Sequence, residues 1–591
     1  MRKELLSNEK MKLLILFYII GIGNVLYCTA HPEAVAPIGK IRGSILTSRL
    51  GKEIYSFRGV RYAEPPTGER PADWNDVFDA SEEGPACPNV ERTELISEDC
   101  LRLNVYTKRL PSKNETVSLP VLVFFHPGGF YQSSAQSFNY GPEYLLDHDI
   151  VLVTVNYRLA TLGFIATGDS LAPGNLGLKD QVIALRWIQR NIIAFGGDPN
   201  SVTISGCSVG GLSTFLHMLS PMSKNLFHRV IDMSGSLLLT EPFPTHQRDI
   251  AEKQAKLLNC PINSTEDMLA CLRSKFLILL TFQEWYGDPI VLWKPVVEPE
   301  VPGMERFLPA QPIDLIQQGK FYQVPAIFGV TKDEFGGVVV TFENTTRNNG
   351  NIYRNMDENW YHIAPISFIY ERNTPRSKNI STELRKFYLN DEPLGSNGKI
   401  NLQLYTDSVI TFPQYRGAKL IAENSKAPVY LYKFTYQGRY SFTMWNATTP
   451  YGVEHQDDLQ YLYYIKSNFP YFNKTAPEIP MVELYTSMWS SFVQTGQPIP
   501  NGRNITWNRF ETEKNNYLDI NLNLTMKTGF YSDRMQEWEK LFPLSAASQS
   551  KKYYGYFQRQ IKCVPVWEFT KDDIPQEGTW STPLIHLVAF V

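Results

Sequence analysis

The sequence predicts an α/β fold in which a central, mostly parallel β-sheet is covered by helices on both faces, within a single large domain. Continuous apolar runs of strand length occur at Leu119–Phe125 and at residues 150–155, as in strands buried on both faces. A segment with helical apolar spacing follows at residues 178–194, and alternating strands and helices favour a parallel sheet. The 591 residues are 43% hydrophobic, and no linker, charge block or repeat divides the middle of the chain.

The first thirty residues have the pattern of a secretory signal peptide. Arg2, Lys3, Lys10 and Lys12 precede an apolar run, and Ala30 is a small residue suited to cleavage. A retained signal anchor is the alternative, but the run is short for a membrane-spanning helix. We expect a signal peptide at 1–30, a folded domain at 31–544 and a C-terminal tail at 545–591 with no assigned role. No transmembrane span is expected after cleavage.

Cysteines and glycosylation sequons fit secretion. Secreted proteins form disulfides, and of the seven cysteines Cys28 is lost with the leader and Cys563 is left over. Eight N-x-[ST] sequons predict a glycosylated surface, at Asn114, Asn263, Asn344, Asn379, Asn446, Asn473, Asn504 and Asn523. The net charge of −3 gives no basic footprint for nucleic acid.

The remaining elements follow in chain order. Residues 38–66 read as short alternating strands with glycine turns, ending at a Pro-Pro pair, and residues 97–106 as a strand entered through a cysteine. Further strands are predicted at residues 202–204, 325–329 and 429–434, and further helices at residues 481–495 and 538–542.

A candidate nucleophile lies in the Gly206-Cys207-Ser208-Val209-Gly210 turn. The turn follows a β-branched strand and precedes Leu212, Phe215, Leu216 and Leu219 at helical spacing. Strand, G-x-S-x-G and helix in this order are typical of a nucleophile elbow, which lifts a serine above the sheet edge. The pentapeptide alone is a weak signal, since an ordinary Gly/Ser turn matches it too, so the flanking elements carry the prediction.

An activated serine needs a base, and the base needs an acid to orient it. Glu334 follows the strand at 325–329, and His455 lies in a loop after the strand at 429–434. The order serine, acid, histidine is the one found in α/β-hydrolases. A solvated loop charge is the alternative for Glu334. Other histidines are less well placed: His126 precedes a Gly-Gly turn, His217 and His228 flank the elbow helix, and His586 is in the tail.

Donors for a developing oxyanion are predicted after the first apolar strand. Leu119–Phe125 runs into His126-Pro127-Gly128-Gly129. Backbone N–H groups of Gly128 and Gly129, with that of Val209, can stabilise the negative charge of a tetrahedral intermediate. An ordinary glycine turn is the alternative, which the neighbouring elbow disfavours.

The sequence resembles the type-B carboxylesterase and cholinesterase family, and within it the secreted insect carboxylesterases. The resemblance spans about residues 38–544 and rests on FRGVRYAEPPTGE, SEDCLRLNVY, FFHPGGF, VNYRLATLGF, GNLGLKDQVIALRWIQRNIIAFGGDPNSVTISGCSVGG, GVTKDE and YGVEHQDDLQY. It implies one α/β-hydrolase domain, a Ser208–Glu334–His455 triad, and an oxyanion hole from Gly128, Gly129 and Val209. It also implies disulfides Cys87–Cys100 and Cys260–Cys271, and no metal or organic cofactor.

Several positions depart from the family pattern. Cys207 stands where the family usually has Glu, and the Cys87–Cys100 loop has no tryptophan. A quaternary ammonium therefore has little to bind by charge or cation–π contact, which argues against a cholinesterase. Pro127 replaces the first oxyanion-loop glycine, and Phe335 replaces a common glycine after the acid. The glutamine usual before the serine of juvenile hormone esterases is also absent.

The sequence thus predicts a secreted, glycosylated serine carboxylesterase that hydrolyses uncharged, apolar esters through an acyl-enzyme. Its partner is a small-molecule ester, and its oligomeric state is not indicated. A catalytically silent cholinesterase-like binding or adhesion protein is an alternative from another class. A juvenile hormone or odorant-ester hydrolase is the alternative within the class.

Overall fold

The computed structural model describes residues 31–65, 73–89, 95–275, 293–347, 352–394, 403–446, 449–500 and 502–544. The predicted signal peptide and the tail with Cys563 lie outside these residues. Within them no helix combines the length and apolar character needed to cross a bilayer.

The described strands are between two and eleven residues long, and β9 is the longest. In chain order they are β1 (Glu33–Ala36), β2 (Gly39–Arg42), β3 (Ser44–Thr47), β4 (Glu53–Arg61), β5 (Phe78–Asp79), β6 (Arg102–Thr107), β7 (Leu119–Phe125), β8 (Val151–Val155), β9 (Gly197–Cys207), β10 (Arg229–Met233), β11 (Ala326–Thr331), β12 (Val429–Phe434), β13 (Met444–Asn446), β14 (Thr449–Pro450), β15 (Tyr517–Ile520) and β16 (Thr525–Lys527).

Eleven of the described strands form one central sheet in the order β16-β15-β12-β11-β10-β9-β7-β8-β6-β4-β3. The neighbours from β8 through β7, β9, β10, β11 and β12 to β15 pair in parallel. The outer pairs β3–β4, β4–β6, β6–β8 and β15–β16 are antiparallel. The predicted mostly parallel sheet is therefore confirmed. Because the parallel strands point the same way, the loops after β7, β9, β11 and β12 leave at one edge.

The sheet separates two hydrophobic cores, as the alternation of side chains along β7 illustrates. Val121, Val123 and Phe125 belong to one core, and Leu122 and Phe124 to the other. Successive side chains of a strand point to opposite faces, so a strand covered on both sides is apolar throughout. This arrangement explains the uninterrupted apolar run that predicted the element.

Helices cover both faces. They are α1 (Ala160–Phe164), α2 (Leu176–Asn191), α3 (Val209–Leu219), α4 (Arg248–Leu257), α5 (Thr265–Arg273), α6 (Pro312–Gln317), α7 (Gly336–Arg347), α8 (Ile352–Glu358), α9 (Trp360–Ser367), α10 (Pro375–Leu384), α11 (Phe412–Asn424), α12 (Ile479–Thr495) and α13 (Ser532–Leu541). Single 3₁₀ turns lie at Leu145–Asp147, Ile192–Phe195, Pro221–Ser223 and Leu459–Tyr461, and π-helical turns at Arg385–Leu389 and Asp407–Thr411.

Two disulfides join segments outside the central sheet. Cys87 is joined to Cys100. Cys260, which follows the end of α4, is joined to Cys271 in α5. Cys207 is a free, buried thiol. The side chains of Asn344 and Asn446 are outside the described set, whereas the other six sequon asparagines, at positions 114, 263, 379, 473, 504 and 523, are exposed.

Candidate active site

Ser208 lies in a sharp turn between β9 and α3. Its backbone has φ 56° and ψ −128°, a conformation that costs energy in a non-glycine residue. A Cβ at Gly206 would lie 2.2 Å from the carbonyl group of Gly210, and a Cβ at Gly210 would lie 2.1 Å from the Phe125 oxygen. Both positions therefore require glycine. The Ser208 N–H donates to the Met233 carbonyl at 2.9 Å, which ties the turn to β10.

Glu334 and His455 meet at the same edge of the sheet. Nδ1 of His455 lies 2.6 Å from Oε2 of Glu334, and both side chains are buried, at 2% and 0% exposure. Glu334 follows β11, and His455 follows β12 and the small β13–β14 hairpin. The sheet thus brings together two residues that are 121 positions apart.

The other ring nitrogen of His455 is available for proton transfer. Nε2 is buried and has no hydrogen-bond partner in the described part of the chain. Ser208, in the neighbouring elbow, is itself 7% exposed, and the structure records no hydrogen bond between its hydroxyl and His455. The contact between Glu334 and His455 is therefore formed, whereas one between His455 and Ser208 is not.

Two donors that the sequence analysis missed hold the Glu334 carboxylate. Ser234 Oγ donates to Oε1 at 2.6 Å, and the Thr331 N–H donates to the same oxygen at 2.7 Å. In addition, Thr406 Oγ1 donates to the Glu334 carbonyl at 2.5 Å. A buried carboxylate needs such partners to remain stable. No local sequence signal marks Ser234, which is 100 residues away from its partner.

The loop after β7, with Gly128 and Gly129, lies next to the elbow. Gly128 and Gly129 have φ of 117° and 62°, and a Cβ at Gly128 would lie 2.3 Å from the Gln132 oxygen. The Gly128 carbonyl accepts from the N–H groups of Tyr131 and Gln132. The contact between Gly210 and Phe125 described above places this loop against the start of α3.

His126 opens this loop but carries no positive charge at neutral pH. Its ring stacks on Tyr157 at 4.4 Å between centroids, and Nδ1 lies 2.8 Å from the Pro127 carbonyl. Burial lowers the pKa of His126 to about 4. The N–H groups rather than an imidazolium are therefore the electropositive groups of this loop.

Cys207 points into the core rather than presenting a charge to the site. It is 0% exposed, and burial raises the pKa of its thiol well above the ordinary value. A carboxyl that the sequence analysis did not consider, Asp458, interacts electrostatically with Cys207 and His455. Asp458 accepts hydrogen bonds from the hydroxyls of Tyr432 and Tyr485, and burial raises its pKa to about 6.

Phe335 packs against the histidine. Its ring centroid is 5.4 Å from that of His455, at an interplanar angle of 37°. The residue is 3% exposed and has φ 60°. The phenyl ring therefore covers part of the imidazole, at a position where the backbone strain would be smaller with glycine.

The chemistry of these groups is that of acyl transfer. A serine on a strained turn, a buried carboxylate–imidazole pair and a glycine loop share one edge of the sheet. Among the described residues, no group of three or more His, Cys, Asp and Glu side chains is arranged to hold a metal ion.

Comparisons with known proteins agree with this chemistry. The profile of the carboxylesterase family matches residues 30–538. Esterase FE4 of Myzus persicae is 36% identical over 510 residues, covering 82% of this chain and 88% of that protein. Juvenile hormone esterase of Tribolium castaneum is 32% identical over 546 residues, covering 85% and 90%. The crystal structure of juvenile hormone esterase from Manduca sexta, with OTFP covalently attached, matches with a TM-score of 0.73 and 28% identity, covering 87% of this chain and 99% of that chain.

Proposed function

This chain belongs to the carboxylesterase family and is a carboxylic ester hydrolase, and from that premise we propose that it is a secreted serine esterase for uncharged, apolar esters. Ser208 is the nucleophile, His455 the general base and Glu334 the acid that orients it. The N–H groups of Gly128, Gly129 and Val209 form the oxyanion hole. The observation that carries the proposal is the buried 2.6 Å contact between Glu334 and His455 at the edge that bears the elbow.

The reaction runs in two steps. Ser208 Oγ attacks the ester carbonyl carbon while His455 Nε2 takes its proton, and the N–H groups stabilise the tetrahedral oxyanion. The bond to the alcohol oxygen then breaks, and His455 returns the proton to the leaving alcohol. Water, deprotonated by His455, attacks the acyl-enzyme in the same way and releases the carboxylic acid. Glu334 holds the imidazole in the tautomer that leaves Nε2 free to accept the proton.

The preference for uncharged esters follows from what surrounds the elbow. Position 207 carries a thiol that burial keeps protonated, and the segment between Cys87 and Cys100 contains no tryptophan. A cationic substrate therefore gains no charge partner at position 207 and no indole ring from that loop. An apolar ester loses nothing by their absence.

Labelling with a fluorophosphonate tests the serine mechanism directly. The reagent phosphonylates only a serine that a neighbouring base activates, so the labelled peptide should be the one that contains Ser208. Esterase activity should disappear in proportion to labelling. A label on another serine, or hydrolysis that persists after complete labelling of Ser208, would contradict the proposal.

Secretion is the second part of the proposal. It is supported by the leader pattern at residues 1–30, by two disulfides and by the exposure of all six sequon asparagines whose side chains are described. Expression in insect cells should release the protein into the medium with an N-terminus near residue 31. Glycosidase treatment should increase its electrophoretic mobility. Retention in the membrane fraction would instead favour the signal anchor.

Juvenile hormone is the second candidate substrate, because the Tribolium castaneum and Manduca sexta relatives are juvenile hormone esterases. The absence of glutamine before Ser208 weighs against it. Comparing kcat/KM for juvenile hormone with that for a neutral naphthyl ester distinguishes the two candidates. A ratio well above one would favour the hormone, and a ratio well below one would favour the general esterase.

A further inference from the structure

We propose that Glu454 is a positioning residue: together with Asp333 it clamps the loop that carries Glu334 to the loop that carries His455. We call residues 333–337 the acid loop and residues 452–457 the base loop. The inference rests on the proposed function, because it concerns how these two loops present the acid and the base to Ser208. It adds a residue that never touches the substrate.

The first attachment between the two loops is made by Asp333. Its N–H donates to the Val453 carbonyl at 2.9 Å, and its Oδ2 accepts from the Val453 N–H at 3.0 Å. These two hydrogen bonds fix the acid loop and the base loop to each other next to Glu334.

The second attachment is made by Glu454, the residue before His455. Its Oε2 accepts from the Gly337 N–H at 3.1 Å, although the two residues are 117 positions apart. The residue is 2% exposed. The acid Glu334 therefore lies between two residues, Asp333 and Gly337, that are both hydrogen-bonded to the base loop.

Two glycines allow the loops to approach this closely. A Cβ at Gly336 would lie 2.3 Å from Oε2 of Glu454, and a Cβ at Gly452 would lie 2.6 Å from Oδ2 of Asp333. Each loop thus has a glycine where the carboxyl of the other loop makes contact. The close approach also brings the Phe335 ring onto the His455 ring.

The base loop is itself braced around Glu454. Asp457 Oδ2 accepts from the Glu454 N–H at 2.8 Å, and the Asp457 N–H donates to the Glu454 carbonyl at 3.0 Å. Asp457 Oδ1 accepts from the Phe442 N–H at 2.8 Å. A displacement of the Glu454 carboxyl would therefore be transmitted to the backbone on which His455 sits.

The Glu454 carboxyl is placed to act as a hydrogen-bond acceptor, and burial disfavours its charged form. Burial, with Asp457, Glu334 and Asp333 as neighbouring carboxyls, raises the pKa of Glu454 well above its usual value. A neutral glutamine preserves an oxygen acceptor for Gly337, whereas alanine removes it. Charge and hydrogen bonding can therefore be separated by two substitutions at one position.

The test compares Glu454→Ala with Glu454→Gln in steady-state hydrolysis of a neutral nitrophenyl ester across pH. We expect Glu454→Ala to lower kcat on the order of 10- to 100-fold, with KM nearly unchanged, because small misplacements of catalytic groups cost about this much. The acid limb of kcat/KM should also move to lower pH, because a looser contact with Glu334 stabilises the imidazolium less. Glu454→Gln should restore kcat to within about threefold and restore the pH profile.

Glu298→Ala is the matched control. Glu298 is also buried and accepts from two backbone N–H groups, those of Phe307 and Leu308, but it belongs to neither loop. Its loss should reduce thermal stability without moving the pH profile. If Glu298→Ala moves the pH profile as Glu454→Ala does, if Glu454→Ala retains the wild-type kcat and profile, or if Glu454→Gln is as impaired as alanine, the proposal is overturned.

Two further measurements keep the outcome decisive. If Glu454→Ala does not fold, Asp333→Ala removes the acceptor for the Val453 N–H at the other attachment, and a lower kcat with a displaced pH profile supports the clamp while a wild-type profile overturns it. Fluorophosphonate labelling of wild type and Ser208→Ala distinguishes failure of the serine mechanism from failure of the clamp. If wild type is labelled and Ser208→Ala is not, the serine mechanism is supported. The Glu454 and Asp333 variants then test the clamp by themselves. An unlabelled wild type overturns the serine mechanism and the clamp together.

Discussion

Ser234 Oγ donates to Oε1 of Glu334 at 2.6 Å, while the other carboxylate oxygen, Oε2, is bound to His455. The two contacts share one carboxylate, so the position of the acid depends on a residue of the loop after β10. Hydrogen bonds to charged groups are the stronger ones in proteins, at about 1.5–3 kcal/mol each.

Ser234→Ala should therefore lower kcat by roughly 10-fold while KM changes little, because one of the donors that orient Glu334 is lost. Steady-state kinetics on a neutral ester measure the effect. Ser205→Ala is the matched control, since Ser205 is also buried and donates to a backbone carbonyl, that of Val123. An equal loss of activity in both variants would show a general packing effect instead.

Ser208→Ala should abolish ester hydrolysis and fluorophosphonate labelling. Loss of a triad nucleophile costs on the order of 10⁴- to 10⁶-fold in turnover. Secretion and thermal stability should stay close to wild type, because the strained turn is held by Gly206 and Gly210 and not by the hydroxyl. More than a few per cent of residual activity would point to a different nucleophile.

The rate should rise with pH as the general base loses its proton. The acid limb of kcat/KM is expected to fit a single ionisation, because one imidazole acts as the base. Glu334→Gln should lower both the rate and the midpoint of this ionisation, because a neutral amide stabilises the imidazolium less than a carboxylate does. A pH–rate profile identical to that of wild type would remove Glu334 from the triad.

Charge selectivity should favour neutral substrates. We expect butyrylthiocholine to have a lower kcat/KM than a neutral naphthyl ester of similar size, by the equivalent of about 1–2 kcal/mol for the missing cation–π contact. The informative quantity is the ratio of the two kcat/KM values, compared between wild type and Cys207→Glu. A wild type that prefers the choline ester would contradict this account of the site.

The structure limits what Cys207→Glu can restore. Asp458, Glu334 and Asp232 all act electrostatically on position 207, where burial already raises the thiol pKa. A new carboxyl there would be harder to ionise for the same reasons. In Cys207→Glu, the difference in kcat/KM between the choline ester and the neutral ester should therefore narrow more at high pH than at low pH. A change of the ratio that is the same at all pH values would contradict this reasoning.

Stability should depend on pH through Asp232. Burial raises its pKa from 3.8 to about 7, so between these values the unfolded state binds fewer protons than the folded state and stability falls as pH rises. Asp232→Asn lacks this titrating carboxyl. The difference in unfolding free energy between variant and wild type should therefore shift in favour of the variant by about 3 kcal/mol as the pH rises from 4.5 to 7.5. Urea unfolding at both pH values measures it. A difference that does not vary with pH would contradict the assignment.

The parts of the fold that the sequence predicted are those whose signal is local. β7 is apolar throughout, and β11 is apolar up to its last residue, Thr331, because both faces of these strands are buried. The sequence analysis did not predict β10, whose short run Arg229–Met233 is broken by Asp232. That carboxyl is accommodated by Gly235 and Gln414, which donate to its Oδ1. Gln414 is 182 positions away, so no window of the sequence contains the partner.

The same distinction applies to the site. Ser208 and Gly128 stand in turns with a recognisable glycine pattern, and Glu334 and His455 could be selected by their order along the chain. Ser234 and Glu454 have no such pattern, because their roles consist of single hydrogen bonds to distant loops. These contacts exist because the parallel sheet places the loops at one edge, so they can be identified only in the folded structure.

The position of β9 in the middle of the sheet has a consequence for biosynthesis. Its neighbours are β7, made earlier, and β10, made later, and His455 leaves the ribosome about 250 residues after Ser208. At translation rates of about 5–20 residues per second this delay is roughly 10 to 50 seconds. Under the proposed mechanism, the nascent chain carries its nucleophile without its base throughout that time. The growing polypeptide is therefore harmless to esters in the compartment where it is made, and hydrolytic competence arrives only with the last third of the chain.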